Sequence, residues 1–592
     1  MGRDRNKNEY ATQRNQRVVS LQPVYDIAEI CSQQGIRNAI VCPGSRCAPL
    51  TISFSRHPSI KVRTISDERS AAFIALGMAQ QTNTPVVLIC TSGSAAYNFS
   101  PAVAEAFYNH VPLLILTADR PMEWINQLDG QTIQQYEIYG RHVKKYFDLP
   151  ADHEHPDAIW YLHRTVNEAI LLSKQGQPGP VHINIPLREP LYPAKHEEIT
   201  FSKELKIIGE EKNISSLSQA DWNFIQQQWP LHKKVAIVGG QGNHGVELIS
   251  ALHISNSIHS AALIGDVISN LHQTEQVIRY SDSFLAHCGN EIKNSLMPDL
   301  LITFGRSVIS KNLKVFLRKY KPTQHWHIQA AGEVADTFQS LTRIIRCDPT
   351  HFFEKLNSLA IESDFEHQKR DNYKSLWKAE EHKIERAISP FFIPAQLSEF
   401  HLLHDIITAL PECNLHLANS MTVRYANFIG LKNEKDKVTV YSNRGTSGID
   451  GCTSTAVGHS LSSNKLNILI TGDVAFFYDR NAFWHNYDLP NLRVVVLNNH
   501  GGVIFGMIDG PGDLPEAEEF FITKQKLSAK NLCLEFGLEY ARIDNSKKIK
   551  NVLKDLFEMD GKPKVIEIET DSKTSKQVVE QFKQLIRKGY ES

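Results

Sequence analysis

Two apolar runs in the last third of the chain constrain its fold more than any other feature. They are LNILI, which begins at Leu466, and LRVVVL, which begins at Leu492, and both have the length and β-branched content of buried parallel strands. The segment between them, DRNAFWHNYDL from Asp479 to Leu489, favours a short crossover helix. Two strands joined in this way predict a βαβ unit and therefore a parallel sheet.

Polar residues follow each of these strands at once. The first strand leads into Asp473 and the second into residues 498–502, NNHGG. Because ligands of an open parallel sheet bind outside the carboxyl ends of its strands, we expect Asp473 and Asn499 to be neighbours there. A carboxylate, an amide oxygen and the carbonyl of Gly501 are hard ligands that suit Mg²⁺. The alternative is an ordinary crossover with an aspartate helix cap and an Asn/Gly turn.

The same alternation of strand and helix runs through three blocks of the chain. The predicted strands include NAIVC, PVVLIC and PLLILTA in the first block, KKVAIVGG and PDLLITFG in the second, and CNLHLA and PKVIEIE in the third. This succession predicts an α/β protein with three doubly wound parallel-sheet domains. We place the blocks at 18–190, 226–360 and 391–592, with a disordered tail at 1–17, a linker at 191–225 and a linker helix at 361–390.

Composition excludes several classes of function. The 592 residues carry a net charge of −1, which argues against binding to nucleic acid or to a membrane surface. No apolar run approaches the roughly 18 residues of a transmembrane helix, and the polar N-terminus lacks the apolar core of a signal peptide. Nine cysteines without paired CxxC spacing indicate reduced core thiols. We therefore expect a cytoplasmic protein.

The middle block offers a competing hypothesis. Gly240, Gly242 and Gly245 follow a predicted strand in GxGxxG spacing, which is typical of a nicotinamide or flavin nucleotide site. However, the acidic residue expected to end the next strand is missing, since Asp266 comes late and follows a glycine. A structural glycine turn is the favoured interpretation.

Family resemblance connects the first motif to a cofactor. Gly-Asp after one strand and Asn-Asn after the next resembles the motif of the thiamine diphosphate-dependent enzymes, with Val474 where a glycine is usual. Further stretches occur in the order expected for the carboligases of menaquinone biosynthesis, although the resemblance is weak across the middle block. They are PGSRCAPLT at Pro43, DERSAAFIALG at Asp67, TSGSAAYN at Thr91, LTADRP at Leu116, GQTIQQ at Gly130, ANSMTVR at Ala418, SNRGTSGIDG at Ser442 and NNHGGVIF at Asn498.

The resemblance implies how the domains divide the cofactor. Block 18–190 would bind its pyrimidine, 226–360 would be a central Rossmann-like domain, and 391–592 would bind its diphosphate and the metal. Asp473, Asn499 and Gly501 would ligate Mg²⁺ or Mn²⁺, and Glu68 would activate the pyrimidine. In the family the two outer domains meet across a subunit interface. The protein would then be a homodimer or homotetramer with intersubunit active sites.

The resemblance also implies the reaction, which is decarboxylation of 2-oxoglutarate and 1,4-addition of the resulting succinyl semialdehyde carbanion to isochorismate. Both substrates are dicarboxylates, which arginine forks bind well. The nearer alternative is another thiamine diphosphate-dependent decarboxylase or carboligase, and the farther one is a non-enzymatic or nucleotide-sensing binding protein. The residues carried over are Ser45, Arg46, Gln131, Arg424 and Arg444 for catalysis, Arg120, Lys311, Ser420, Ile504 and Phe505 for substrate, and Ser420 and Ile449 for cofactor.

Three positions depart from the family pattern. Gly130 stands where an asparagine is common, Asn312 where an arginine often follows Lys311, and His500 where a third asparagine is usual. These departures concern substrate contacts and leave the predicted metal ligands in place.

Overall fold

The computed structural model describes residues 21–195, 197–211, 216–359, 364–393, 397–507, 510–545 and 549–591. The tail predicted at 1–17 lies outside these residues. Three parallel sheets are present, which confirms the predicted α/β fold. Within the described part of the chain, no helix is both long enough and apolar enough to span a bilayer.

The first domain contains a six-stranded sheet in the order β2-β1-β3-β4-β6-β5, with every pairing parallel. Its strands are β1 Asn38–Val41, β2 Lys61–Thr64, β3 Val86–Cys90, β4 Leu113–Asp119, β5 Tyr146–Asp148 and β6 Val181–Pro186. Its helices are α1 Gln22–Gln33, α2 Ala48–Arg56, α3 Glu68–Thr82, α4 Ser94–Asn98, α5 Ser100–Tyr108 and α6 Pro156–Lys174.

The middle domain contains a five-stranded sheet in the order β11-β10-β9-β7-β8. Its strands are β7 Val235–Gly239, β8 Ala262–Gly265, β9 Leu300–Phe304, β10 Gln324–Ile328 and β11 Arg343–Ile345. Its helices are α7 Gln219–Gln228, α8 Val246–Ile258, α9 Ser281–His287, α10 Asn290–Leu296, α11 Lys311–Lys319 and α12 Pro349–Asn357, followed by the long helix α13 Asp364–Ile388. Helix α7 begins within the range predicted as a linker, and Trp222 and Ile225 pack into the core of this domain.

The third domain repeats the strand order of the first, β13-β12-β14-β15-β17-β16. Its strands are β12 Cys413–Leu417, β13 Val438–Tyr441, β14 Asn467–Gly472, β15 Leu492–Asn498, β16 Glu539–Ile543 and β17 Lys564–Glu569. Its helices are α14 Glu399–Ala409, α15 Met421–Ile429, α16 Cys452–Ser462, α17 Asp473–Tyr478, α18 Ala529–Glu535, α19 Ile549–Phe557 and α20 Ser572–Glu591.

The crossover between β14 and β15 differs from its prediction. The α-helix occupies Asp473–Tyr478, before the predicted segment, and only a 3₁₀ turn at Arg480–Phe483 falls inside that segment. The reason lies at Asp479, whose carboxylate accepts hydrogen bonds from the backbone nitrogen and the hydroxyl of Ser454, both at 2.7 Å. This buried attachment to α16 fixes the chain where the helix ends.

The two outer domains pack together through α3 and α16. Gly77 lies against the backbone carbonyl of Thr455, and Gly458 lies against that of Ile74, so that a Cβ atom at either glycine would clash with backbone. Buried apolar side chains continue from the third domain into both other domains. The three domains therefore form one packed body in which the third is central.

The GxGxxG stretch of the middle domain is used for packing. Gly240 lies against the carbonyl of Arg306, Gln241 donates to the carbonyl of Ser442 at 2.8 Å, and Asn243 donates to the hydroxyl of Tyr441 at 3.2 Å. These contacts join the loop to its own sheet and to the third domain. The geometry fits the structural turn favoured by the sequence.

Candidate active site

The predicted metal ligands meet at the carboxyl edge of the third sheet. Asp473 is the first residue of α17, and Asn499 follows β15 directly. Strands β14 and β15 pair in parallel, with Gly472 opposite Leu497, so their ends lie side by side. Asp473 is 1% exposed and Asn499 is 7% exposed. Two oxygen-bearing side chains are thus brought together in a buried place.

Asp473 is held from two directions. The amide nitrogen of Gln525 donates to its Oδ2 at 2.6 Å and also contacts Oδ1 of Asn498 at 3.1 Å. Burial raises the pKa of Asp473, while hydrogen bonds from Gln525 and from the backbone of Val474 and Gly501 lower it. The contact with Gly501 shows that the turn after β15 reaches the aspartate.

Asn499 has one end anchored and the other end without a partner. Its Nδ2 donates to Oε1 of Glu399 at 2.7 Å. Its Oδ1 is buried and has no hydrogen-bond partner among the described residues. Burial raises the pKa of Glu399 to about 7, and the negative charge of Asp473 adds to the rise. A buried oxygen without a donor is unusual in a native protein and indicates a missing ligand.

These residues fit a divalent cation bound with a diphosphate. A carboxylate, an unpartnered amide oxygen and a backbone carbonyl at Gly501 are the hard ligands that Mg²⁺ or Mn²⁺ prefers, and phosphate oxygens would supply the remaining positions. Among the described residues, no three His, Cys, Asp or Glu side chains are grouped so that they could hold a metal ion by themselves. A Cβ at Gly501 would lie 2.8 Å from the carbonyl oxygen of Ile522, which explains the glycine at this turn.

A second group of predicted residues lies at the carboxyl edge of the first sheet. Glu68 begins α3 after the N-cap Asp67, whose carboxylate accepts from the nitrogen of Ser70 at 3.1 Å. The Oε2 of Glu68 accepts a hydrogen bond from Asn98 at 3.2 Å. Ser45 follows β1 and is exposed. Asn98 ends the stretch TSGSAAYN, but no local pattern pairs it with Glu68, which lies thirty positions earlier.

Two arginines of this edge are oriented by backbone carbonyls. Arg46 is buried and donates to the carbonyl of Leu187 at 2.9 Å, while its Nε has no partner among the described residues. Arg120 donates to Asp129 and to the carbonyl of Gly130, both at 2.9 Å. Burial lowers the pKa of Arg46, and the positive charge of Arg120 lowers it further. The two guanidinium groups are therefore near enough to repel each other.

Gln131 lies at the same edge in a left-handed backbone conformation, with φ of 56°. A Cβ built at Gly93 would lie 3.4 Å from its Cα, so the turn after β3 passes closely beneath it. Gln131 is exposed. Its neighbour Gly130, one of the departures from the family pattern, supplies the carbonyl that holds Arg120.

The arginines of the third domain form a separate cationic cluster. Arg424 donates to the carbonyl of Ser420, and Arg444 donates to Oδ1 of Asn419 at 2.8 Å. Burial lowers the pKa of both arginines, and the charge of Arg444 lowers that of Arg424 further. The Nε of Arg444 is buried without a partner among the described residues. Two such cations close together suit a carboxylate ligand.

The middle domain approaches this cluster through α11. Lys311, its first residue, is exposed. Asn312 instead donates to the carbonyl of Asp282 at 3.1 Å, so the residue that replaces the family's arginine is structural here. The sequence did not indicate Lys314, whose pKa is lowered first by burial and then by the charge of Arg444.

The loop that carries Arg444 and Ile449 is fixed by the first domain. The carboxylate of the buried Glu105 accepts from the nitrogens of Gly445 and Thr446 at 2.9 and 2.6 Å, and from the Thr446 hydroxyl at 2.8 Å. No local sequence pattern points to Glu105, because its partners lie about 340 positions away. The first and third domains are thus joined next to Ile449, which is predicted to contact the cofactor.

The apolar residues predicted to contact cofactor and substrate follow the turn at residues 498–502. Ile504 and Phe505 lie in a 3₁₀ turn at Val503–Gly506. Ile504 packs against the core shared by the middle and third domains, and Phe505 lies 6.0 Å from Phe521 between ring centroids. His500 has φ of 64°, a conformation that asparagine also tolerates well, which fits the usual family residue at this position.

The chain does not join Glu68 to the metal ligands. No hydrogen bond or ion pair within the described ranges links Glu68 with Asp473, Asn499 or Gly501. Arg69, next to Glu68, donates to the carbonyl of Tyr478 at the far end of α17, whereas Asp473 begins that helix. Within the described residues, Glu68 and the predicted metal ligands therefore lie in two domains without a direct polar contact between them.

Three family models match successive parts of the chain. Residues 25–138 match the family described as thiamine pyrophosphate enzyme, N-terminal TPP binding domain. Residues 203–416 match the family described as middle domain of thiamine pyrophosphate, and residues 421–568 match the C-terminal TPP binding domain. The three matches follow the three sheets in order.

Individual relatives carry a single name, 2-succinyl-5-enolpyruvyl-6-hydroxy-3-cyclohexene-1-carboxylate synthase. The protein of that name from Cytophaga hutchinsonii is 47% identical over 96% of this chain and all of its own length. Those from Bacteroides fragilis and Flavobacterium johnsoniae are 35% and 36% identical, each over 94% of this chain and 98% and 97% of their own lengths. The chain therefore belongs to the thiamine pyrophosphate enzymes and, among them, to the 2-succinyl-5-enolpyruvyl-6-hydroxy-3-cyclohexene-1-carboxylate synthase family.

Proposed function

We propose that this protein decarboxylates 2-oxoglutarate and adds the succinyl semialdehyde carbanion to isochorismate. The products are carbon dioxide and 2-succinyl-5-enolpyruvyl-6-hydroxy-3-cyclohexene-1-carboxylate, an intermediate of menaquinone biosynthesis. The observation that carries the proposal is the buried Oδ1 of Asn499, which has no hydrogen-bond partner among the described residues. It calls for a cation at the sheet edge that also carries Asp473.

Cofactor binding is assigned to the third domain. Asp473, Asn499 and Gly501 would hold Mg²⁺ or Mn²⁺, and the cation would hold the diphosphate. Ile449 and Ser420 would contact the rest of the cofactor. When bound, thiamine diphosphate supplies a nucleophilic carbon and the electron sink that decarboxylation of a 2-oxoacid needs.

Proton handling is assigned to the first domain. Glu68 would donate a hydrogen bond to, and exchange a proton with, the N1′ atom of the cofactor pyrimidine. Its position at the start of α3 keeps the carboxyl group at the edge of the sheet, where Asn98 holds it in the structure. Ser45 and Gln131 would hold substrate close to this group.

Substrate recognition is assigned to the two arginine clusters. Both substrates carry two carboxylates, and a guanidinium fork binds a carboxylate at two points. Arg46 and Arg120 form one cluster, and Arg424 and Arg444 form the other, with unpartnered Nε atoms at Arg46 and Arg444 among the described residues. Lys311, Ile504 and Phe505 would complete the pocket and exclude water, which would otherwise protonate the carbanion before it reaches isochorismate.

We infer an assembly of subunits from the lack of a direct contact between Glu68 and the proposed metal ligands. We place Glu68 of one subunit opposite the metal ligands of another, in a homodimer or homotetramer. Large apolar side chains in the segment that precedes Gln131 are exposed in the single chain, including Met122 at 81% and Leu128 at 103%. Such a surface supports coverage by a second subunit. The nine free, buried cysteines support a cytoplasmic location.

The proposal is tested by product analysis. Purified protein is incubated with thiamine diphosphate, Mg²⁺ and 2-oxoglutarate, with and without isochorismate, and carbon dioxide and product mass are measured. The expected result is a succinylated cyclohexene adduct that requires isochorismate. Carbon dioxide without an adduct would overturn the acceptor and favour another decarboxylase or carboligase, and no consumption of 2-oxoglutarate would overturn the donor.

A further inference from the structure

We infer that Glu399 is a positioning residue that determines which atom of Asn499 faces the metal. The inference rests on the proposed function, since it concerns the same metal site. Glu399 lies in the first turn of α14 and is 1% exposed. Its Oε1 accepts the hydrogen bond from Nδ2 of Asn499 at 2.7 Å across one hundred positions of sequence.

The side-chain amide of asparagine needs such control. Its two ends have nearly the same shape, but one is an acceptor oxygen and the other a donor NH₂ group. Rotation of the amide by half a turn would present the NH₂ group to a cation, which it cannot ligate. Because the acceptor at Glu399 binds the nitrogen, the oxygen of Asn499 is directed away from it, and that oxygen is the buried atom without a partner among the described residues.

Glu399 is itself held firmly enough to act in this way. The hydroxyl of Tyr425 donates to its Oε2 at 3.3 Å, so the two carboxylate oxygens have different partners. The N-cap Ser398 accepts from the nitrogen of His401 at 3.3 Å and fixes the start of the helix. Burying a carboxyl group costs free energy unless it is hydrogen-bonded. The carboxylate of Glu399 is hydrogen-bonded to Asn499, a predicted metal ligand, as outer-shell partners of metal sites commonly are.

Four single variants and one double variant separate the orientation of Asn499 from the charge of Glu399 and from protein stability. Glu399→Met and Glu399→Ala remove the acceptor, whereas Glu399→Gln removes the charge but keeps an amide oxygen that can accept from Asn499. Asn499→Asp presents an oxygen to the metal in either rotation. The double variant E399M/N499D therefore asks whether loss of Glu399 still matters when orientation no longer does.

Metal affinity is the measurement. Chelator-treated protein is titrated with MgCl₂ at saturating thiamine diphosphate, and binding is followed by calorimetry, with thermal melting of the metal-free proteins as a control for folding. We expect Glu399→Met and Glu399→Ala to raise the Mg²⁺ midpoint by roughly tenfold or more, as expected for an outer-shell partner. Glu399→Gln should stay within roughly threefold of wild type. E399M/N499D should bind Mg²⁺ no more weakly than Asn499→Asp, because a carboxylate at position 499 offers Glu399 no donor.

Each outcome decides between explanations. If Glu399→Met lowers Mg²⁺ affinity equally in the wild-type and Asn499→Asp backgrounds, Glu399 does not act by orienting Asn499. Wild-type affinity in both Glu399→Met and Glu399→Ala would also overturn that role. If Glu399→Met does not fold, Glu399→Ala and E399A/N499D carry the same comparison. If wild-type protein takes up thiamine diphosphate equally well without Mg²⁺, the proposed metal site itself fails, which is a different result from failure of the Glu399 assignment.

Discussion

The first and third domains share one strand order but present different chemistry at the same edge. In the third domain, Asp473 and Asn499 are almost completely buried and are oriented by Gln525 and Glu399. In the first domain, Glu68 is only partly buried, and neighbouring side chains such as Ser45 are exposed. One fold can therefore build either a buried ligand set or an exposed face at this edge, depending on the residues that follow its strands.

The largest expected effect lies in the third domain. Asp473→Ala should abolish both cofactor binding and turnover, lowering kcat/KM by roughly a thousandfold or more, because it removes the one acidic ligand of the set. Asp488→Ala, an exposed aspartate of the same crossover, is the matched control. Calorimetry with Mg²⁺ and thiamine diphosphate measures binding directly. Unchanged cofactor affinity in Asp473→Ala would contradict the assignment.

The matching change in the first domain should separate binding from turnover. Glu68→Gln should retain affinity for Mg²⁺ and thiamine diphosphate but lower kcat by roughly a hundredfold or more, because an amide cannot exchange the proton. Glu204→Gln, at an exposed position, serves as the control. Turnover at the wild-type rate would show that Glu68 has no part in the chemistry.

Packing between the two domains gives a third test. Gly77→Ala should destabilise the protein by about 3 kcal/mol or more, because the new methyl group would clash with the carbonyl of Thr455 in a helix that cannot move alone. Gly289→Ala, where a Cβ would have open space, should change stability by less than about 1 kcal/mol. Thermal melting compares the two. Equal melting temperatures would mean that α3 and α16 do not pack closely.

The smallest expected effect concerns the bond between the first domain and the loop of Arg444. Glu105→Ala should cost about 2 kcal/mol, because two backbone nitrogens and a hydroxyl lose their buried acceptor. The exposed Glu354→Ala is the control for loss of a helix carboxylate. A rise in KM for 2-oxoglutarate should accompany the lower melting temperature, since Arg444 would lose its orientation. A stable variant with unchanged KM would show that Glu105 does not hold this loop.

The strands, and the meeting of Asp473 and Asn499 at one sheet edge, were predictable because their signals are local. Buried parallel strands such as β14 and β15 are continuous apolar runs, and the motif residues follow them directly. The position of the crossover helix was not predictable, because the bond between Asp479 and Ser454 that ends it is tertiary. Glu399, Gln525 and Glu105 were missed for the same reason, since each contacts residues far along the chain.

Subunit mixing tests the central claim, that the two domains supply opposite halves of one active site from different chains. Glu68→Gln and Asp473→Ala chains, each inactive alone, are co-expressed with different tags, and oligomers containing both are purified in two affinity steps. A mixed dimer should contain one intact site and recover roughly half of the wild-type turnover. Mixed oligomers that remain inactive would contradict the claim, because they would place Glu68 and Asp473 in a site formed by a single chain.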